Sequence, residues 1–149
     1  MPDPILPWPL VRRGTNRFPV RPLQQLLRAR NHPVAVDGIF GPNTEAAVKA
    51  FQRSKSLAAD GIVGPQTWPR LIVQVRTGST GDAVRAVQEV MKFHDLSGGA
   101  QGPGVAIDGI FGPRTDELVR GFQTALGVAS DGIVGPITWR ALVSGMLSG

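Results

Sequence analysis

The chain has 149 residues, 42% hydrophobic and 18% charged, the balance of a globular chain with a core and not of a disordered one. It has no cysteine, which excludes disulfides, cysteine nucleophiles and thiolate metal sites, and no apolar run approaches the ~20 residues that span a bilayer. The net charge of +5 is concentrated: residues 1–36 hold six arginines and one acid, whereas the other 113 residues balance ten bases against ten acids. Such a basic stretch favours polyanions. No nucleic-acid motif accompanies it, so a solvated helix face is the preferred reading.

In chain order, residues 1–10 (MPDPILPWPL) form a Pro-rich segment without the basic start and long apolar stretch of a secretory signal. Residues 19–30 are expected to form a first helix, with Val20, Leu23 and Leu27 on one buried face. Then comes the phrase DGIFGPNT at 37–44. Asp-Gly is a turn pair, because glycine takes positive φ cheaply and Asp can bond its own backbone two residues on. Gly41 serves as a permissive N-cap and Pro42 as the first helical residue, where its missing N–H costs nothing. A second helix is expected over 42–54, with Thr44, Ala47, Val48 and Phe51 at i, i+3, i+4, i+7.

The phrase recurs as DGIVGPQT at 60–67 and opens a third, shorter helix over 65–72, which Pro69 shortens or kinks. Val63 and Trp68 have the spacing of a hydrophobic staple. Residues 72–76 alternate apolar and polar and contain no Gly, Pro or Ser, so an extended connection between touching repeats is expected.

The pattern then repeats. DGIFGPRT at 108–115 and DGIVGPIT at 131–138 are again 23 residues apart, and residues 37–71 match 108–142 without gaps at an offset of 71. Upstream the offset is 64, so seven extra residues are expected in the Gly-rich stretch 96–105. Helices are expected over 82–94, with Asp82 as N-cap, and over 113–126 and 136–146. The chain thus divides into a segment 1–10, a repeat 11–73 and a repeat 74–146. The fold class is all-α, two tandem three-helix bundles.

This constellation resembles the peptidoglycan-binding domain 1 family. The carrying residues are Leu23-Gln24, Asp37 to Gly41, Thr44, Ala47-Val48, Phe51-Gln52, Asp60 to Gly64, Thr67-Trp68 and Leu71. They return as Val87-Gln88, Asp108 to Gly112, Thr115, Leu118-Val119, Phe122-Gln123, Asp131 to Gly135, Thr138-Trp139 and Leu142. The departure is at the start of the first helix, where Arg17-Phe18-Pro19 stands in place of Gly81-Asp82-Ala83. The resemblance implies non-catalytic binding of bacterial peptidoglycan, as in modules attached to wall amidases, carboxypeptidases and phage endolysins. It implies a role in targeting the chain itself or a partner hydrolase to the wall. A phage-tail or injection-machine assembly module that keeps the fold is the alternative, and nucleic acid is a weaker third. The expected location is extracellular or wall-associated, including phage-borne. The partners are peptidoglycan and a cell-wall hydrolase or phage structural protein, with no membrane.

No enzymatic activity, cofactor or metal is expected. His32 and His94 are the only histidines and stand at non-equivalent places. Asp116 and Glu117 are adjacent on a helix and point in different directions. The Gly-rich stretch lacks the Lys-Ser/Thr of a phosphate loop. Most of Trp68, Trp139, Phe51, Phe122, Ile39 and Ile110 are expected in the core, and Gln52 and Gln123 are expected to bond a neighbouring loop. The ligand candidates are the polar groups beside the turns: Asp37, Asn43 and Thr44 in repeat 1, and Asp108, Arg114 and Thr115 in repeat 2. They flank helix N-termini whose free N–H groups suit amides and carboxylates. Trp8 is expected to cover the bundle rather than stack on a sugar.

Overall fold

A computed structural model describes residues 5–94 and 106–146. The stretch 96–105, assigned the seven extra residues, lies outside the described residues. The order is α1 (Val20–Ala29), α2 (Pro42–Ser54), α3 (Trp68–Leu71), α4 (Asp82–His94), α5 (Pro113–Leu126) and α6 (Pro136–Val143). The fold is all-α, and among the described residues extended backbone pairs only as isolated bridges. No helix among them is long and apolar enough to cross a membrane.

The helix starts follow the phrase chemistry. Gly41, Gly112 and Gly135 are extended N-caps followed by proline at the first helical position. The second phrase differs: residues 65–67 form a turn, Trp68 N–H donates to Gly64 C=O at 3.0 Å, and helix proper begins only at Trp68. Pro69 thereby falls in the first turn of a four-residue helix, where it breaks no bond. Repeat 2, with Arg140 at that place, runs eight residues from Pro136. Asp82 is the first helical residue and not the cap. Gly81, at φ +111°, takes the cap position and its C=O accepts from Arg85 N–H.

The expected buried faces are present: Val20, Leu23 and Leu27 on α1, Val84, Val87 and Met91 on α4, and Trp68, Trp139, Phe51 and Phe122 in the core. Ile39 and Ile110 are the exceptions. They are 58% and 57% exposed, and the neighbouring Phe40 and Phe111 are buried instead. The N–H of each isoleucine is tied to the aspartate before it, which turns its side chain outward and the next one in.

The helices α1 and α4 carry a second buried stripe, Pro22, Gln25 and Leu26 on one and Ala83, Ala86 and Val90 on the other. It accounts for the packing of α1 on α4, the most extensive helix pairing among the described residues. One apolar core therefore runs through both repeats. Polar bonds flank the stripe: Arg21 and Gln25 donate to Glu89, and Arg28 pairs with Asp82 at 3.5 Å. Each fully buried aliphatic side chain contributes about 1.5–3 kcal/mol, whereas partly exposed ion pairs contribute about 0–1 kcal/mol each. The stripe, not the charges, holds the repeats together.

The bridges Val11–Val63 and Val75–Val134 occupy equivalent places in the two repeats. Ile72 is extended and Val75 makes its bridge, but residues 72–75 act as the lead-in segment of repeat 2, as residues 8–11 do for repeat 1.

Candidate ligand-binding site

The four phrases are built on one repeated device. A glutamine from the preceding helix reaches into the turn, and its amide is wholly used there. Gln24 Nε2 lies 2.9 Å from Asp37 Oδ1, 3.1 Å from Ile39 C=O and 3.1 Å from Thr44 Oγ1, while its Oε1 accepts from Asp37 N–H and Gly38 N–H. Gln52 does the same with Asp60, Ile62, Thr67 and Gly61. Gln88 serves Asp108, Ile110, Thr115 and Gly109. Gln123 serves Asp131, Ile133, Thr138 and Gly132. The amide orientation is dictated by its neighbours, because carboxylate and carbonyl oxygens need donors and backbone N–H groups need an acceptor.

The aspartates close the turns. Each Oδ1 accepts the N–H two residues on, at 2.9–3.0 Å. The glycines between sit at φ +75° to +77°. The Ile39 N–H, then the Gln24 amide, hold the Asp37 carboxyl below the usual carboxylate range. Ile110 and Gln88 do this for Asp108, and Ile133 leads for Asp131.

The six candidates thus separate. Thr44 and Thr115 are each 2% exposed and lie inside the hubs of Gln24 and Gln88. Asp37 and Asp108 are exposed with one oxygen engaged. Asn43 is exposed and lines a groove of about 440 Å³ between the turn after α1 and α2, beside His32 and Ala47. Arg114 is half-buried and paired with Glu117. Asp37 and Thr44 share a hub, as do Asp108 and Thr115, whereas Asn43 faces a different groove from Asp37.

Two further grooves went unanticipated. One of about 350 Å³ lies beside Gln52, Asp60 and Pro65, and one of about 300 Å³ lies at the equivalent Gln123, Asp131 and Pro136. Gln24 and Gln88 were also missed as hubs. The available signal was a Gln ahead of every Asp-Gly phrase.

Elsewhere the polar groups serve structure. Asp116 pairs with Arg120 and Glu117 with Arg114, so the adjacent carboxylates are separately engaged. Among the described residues no three His, Cys, Asp or Glu side chains are grouped to hold a metal. Of the six early arginines, Arg13 pairs with Glu45, Arg21 with Glu89 and Arg28 with Asp82. Arg30 donates to the carbonyls of Leu71 and Ile72, and its burial lowers its pKa.

The same turn frame recurs in both repeats, and comparison with known families finds the same division of the chain. The family model described as "Putative peptidoglycan binding domain" matches residues 18–71 and again 80–142. The chain belongs to that family, as a tandem pair of its domains. Among solved structures, a peptidoglycan-binding protein from Clostridioides difficile, in complex with glutamine hydroxamate, is 38% identical over 42% of this chain and 40% of its own, with a TM-score of 0.41. The Burkholderia AP3 phage endolysin is 33% identical over 58% of this chain and 33% of its own, with a TM-score of 0.43. The chain thus spans well under half the length of either. No curated protein matches.

Proposed function

We propose that this protein binds bacterial cell-wall peptidoglycan without catalysing a reaction on it, and concentrates itself or a partner hydrolase on the wall. The observation that carries this is the family match over both repeats. The site chemistry supports it. The buried amides are committed to the frame, while Asp37, Asn43, Asp108 and Arg114 stand beside helix starts at the surface, with Thr44 and Thr115 holding those starts in place. Two copies joined through one apolar core raise the effective concentration of the second contact once the first is made. The protein acts at the wall, outside the cell or carried by a phage.

Co-sedimentation with insoluble sacculi at physiological salt, with chitin as control, tests this. Retention on sacculi alone is the expected result. No retention on sacculi of several wall chemotypes overturns it and leaves an assembly role for the fold.

A further inference from the structure

A groove lies where the two repeats meet. It encloses about 350 Å³, within the roughly 300–1,000 Å³ usual for small-ligand sites. Its walls are mainly apolar: Phe18 before α1, Pro22 on α1, Ile39 in the first turn and Val90 on α4. At the corresponding edge of repeat 2 the backbone is zipped shut. Gly81 N–H donates to Gly109 C=O at 2.9 Å, and Thr80 bridges Ile110. Repeat 1 has Arg17-Phe18-Pro19 where repeat 2 has Gly81-Asp82-Ala83, and there a groove stands in place of the bridge.

Four charged groups line it. Arg21 and Glu89 are spent on each other and on neighbours: Arg21 Nη2 donates to Glu89 Oε1 at 3.0 Å, Arg21 Nη1 donates to Val36 C=O at 2.9 Å, and Gln25 donates to Glu89. The other two, Arg17 and Asp37, are exposed. Both hydrogen bonds to the Asp37 carboxylate fall on Oδ1, which leaves Oδ2 for a ligand. The groove therefore offers one carboxylate oxygen, one guanidinium and an aliphatic wall.

We infer that this groove takes the free ammonium-and-carboxylate end of a diamino-acid residue in a short peptide, with the ammonium on Asp37, the carboxylate on Arg17 and the aliphatic stem on Ile39 and Phe18. The inference rests on the wall-binding reading and names the part of the polymer that is read: an uncrosslinked peptide end, not the glycan. Because α4 supplies Glu89 and Val90, the site is incomplete without the second repeat. The tandem pair is then one composite site as well as two copies of a frame.

The test is an NMR titration of the full chain with the tripeptide L-alanyl-γ-D-glutamyl-meso-diaminopimelate, run beside sacculus pelleting. Saturable shifts at the amides of Gly38, Ile39 and Val90 are expected. Affinity is expected to fall about tenfold in Arg17→Gln, in Asp37→Asn and for a tripeptide acetylated on its free side-chain amine. Asp37→Asn keeps the Oδ1 acceptor of the turn. Shifts centred elsewhere, or unchanged affinity in Arg17→Gln, overturn the inference. Wild-type chain that pellets with sacculi but ignores the tripeptide overturns this inference alone. Failure in both assays removes the wall-binding reading with it.

Discussion

Trp68 and Trp139 hold equivalent places, both fully buried, and each donates its indole N–H at 2.8 Å to a carbonyl of the segment that precedes its repeat. For Trp68 that carbonyl is Pro9, and for Trp139 it is Val73. The difference lies one residue before those carbonyls. Repeat 1 has Trp8, half-buried and stacked on Trp68 at 6.0 Å between ring centroids with 13° between planes. Repeat 2 has Ile72, only 6% exposed. Each repeat takes its lid from whatever comes before it. Residues 72–75 are therefore a structural part of repeat 2 and not a spacer, which is why the repeats are fused through the core.

The strongest way to break the equivalence is at the hubs. Gln52→Ala and Gln123→Ala each remove the glutamine bonds of a carboxylate, a carbonyl, a threonine and a glycine N–H, and each opens a cavity at a position only 1% exposed. A loss of about 3–5 kcal/mol is expected from either, read from chemical-denaturant unfolding. Equal losses preserve the equivalence of the repeats. A loss below about 1 kcal/mol at either position contradicts the hub.

The same hubs make stability depend on acid. Asp37, Asp108 and Asp131 have pKa values lowered in the folded state by backbone N–H bonds and the glutamine amides. A lowered folded pKa stabilises the fold above the unfolded pKa, and that stabilisation drains away as pH falls through the folded value. The melting temperature should therefore hold steady from neutral pH down to the usual carboxylate range and fall below it. Asp37→Asn with Asp108→Asn should flatten that fall. A melting temperature that rises on acidification contradicts the assignment.

These hubs also show what was legible in the sequence. Asp-Gly and Gly-Pro are local signals, so the turns, their positive-φ glycines and the starts of α2, α5 and α6 could be read directly. The bonds of Gln52 and Gln123 to a loop were legible because Asp follows eight residues later in both cases. Gln24 and Gln88 lie 13 and 20 residues ahead of their aspartates, and that varying separation conceals a four-fold device behind a two-fold repeat. Ile39 and Ile110 read as core because hydrophobicity carries no direction, whereas the aspartate turn does. The second stripe on α1 and α4 was hidden for a related reason: alanine and glutamine do not announce a helix–helix contact. The junction groove depends on both repeats at once and has no local signature.

A weaker disturbance tests the lids. Trp8→Ala removes the stacked cover of Trp68 but leaves the Pro9 carbonyl in place, and a loss of about 2 kcal/mol is expected from the buried part of the ring. Quenching of Trp68 fluorescence should increase with it. An unchanged stability would mean that the lid of repeat 1 is carried by the Pro9 bond alone.

The smallest effect comes at the ends of α2 and α5. Both helices turn there through a left-handed residue whose successor closes the helix: Leu57 N–H donates to Gln52 C=O at 2.8 Å, and Val128 N–H donates to Gln123 C=O at 3.2 Å. Repeat 1 makes that turn with Ser56 at φ +58°, repeat 2 with Gly127 at φ +79°. A side chain in this conformation costs about 1 kcal/mol more than glycine. Nothing lies within 4 Å of a Cβ built on Gly127, so serine there meets no clash and the cost is conformational alone. Ser56→Gly should raise stability by somewhat less than that amount, because glycine also gains freedom in the unfolded chain. Gly127→Ser should lower it equally, and the double exchange should leave the denaturation midpoint where it began. An unequal pair would show that the two helix ends, alike in backbone, are held to their glutamine hubs with different force.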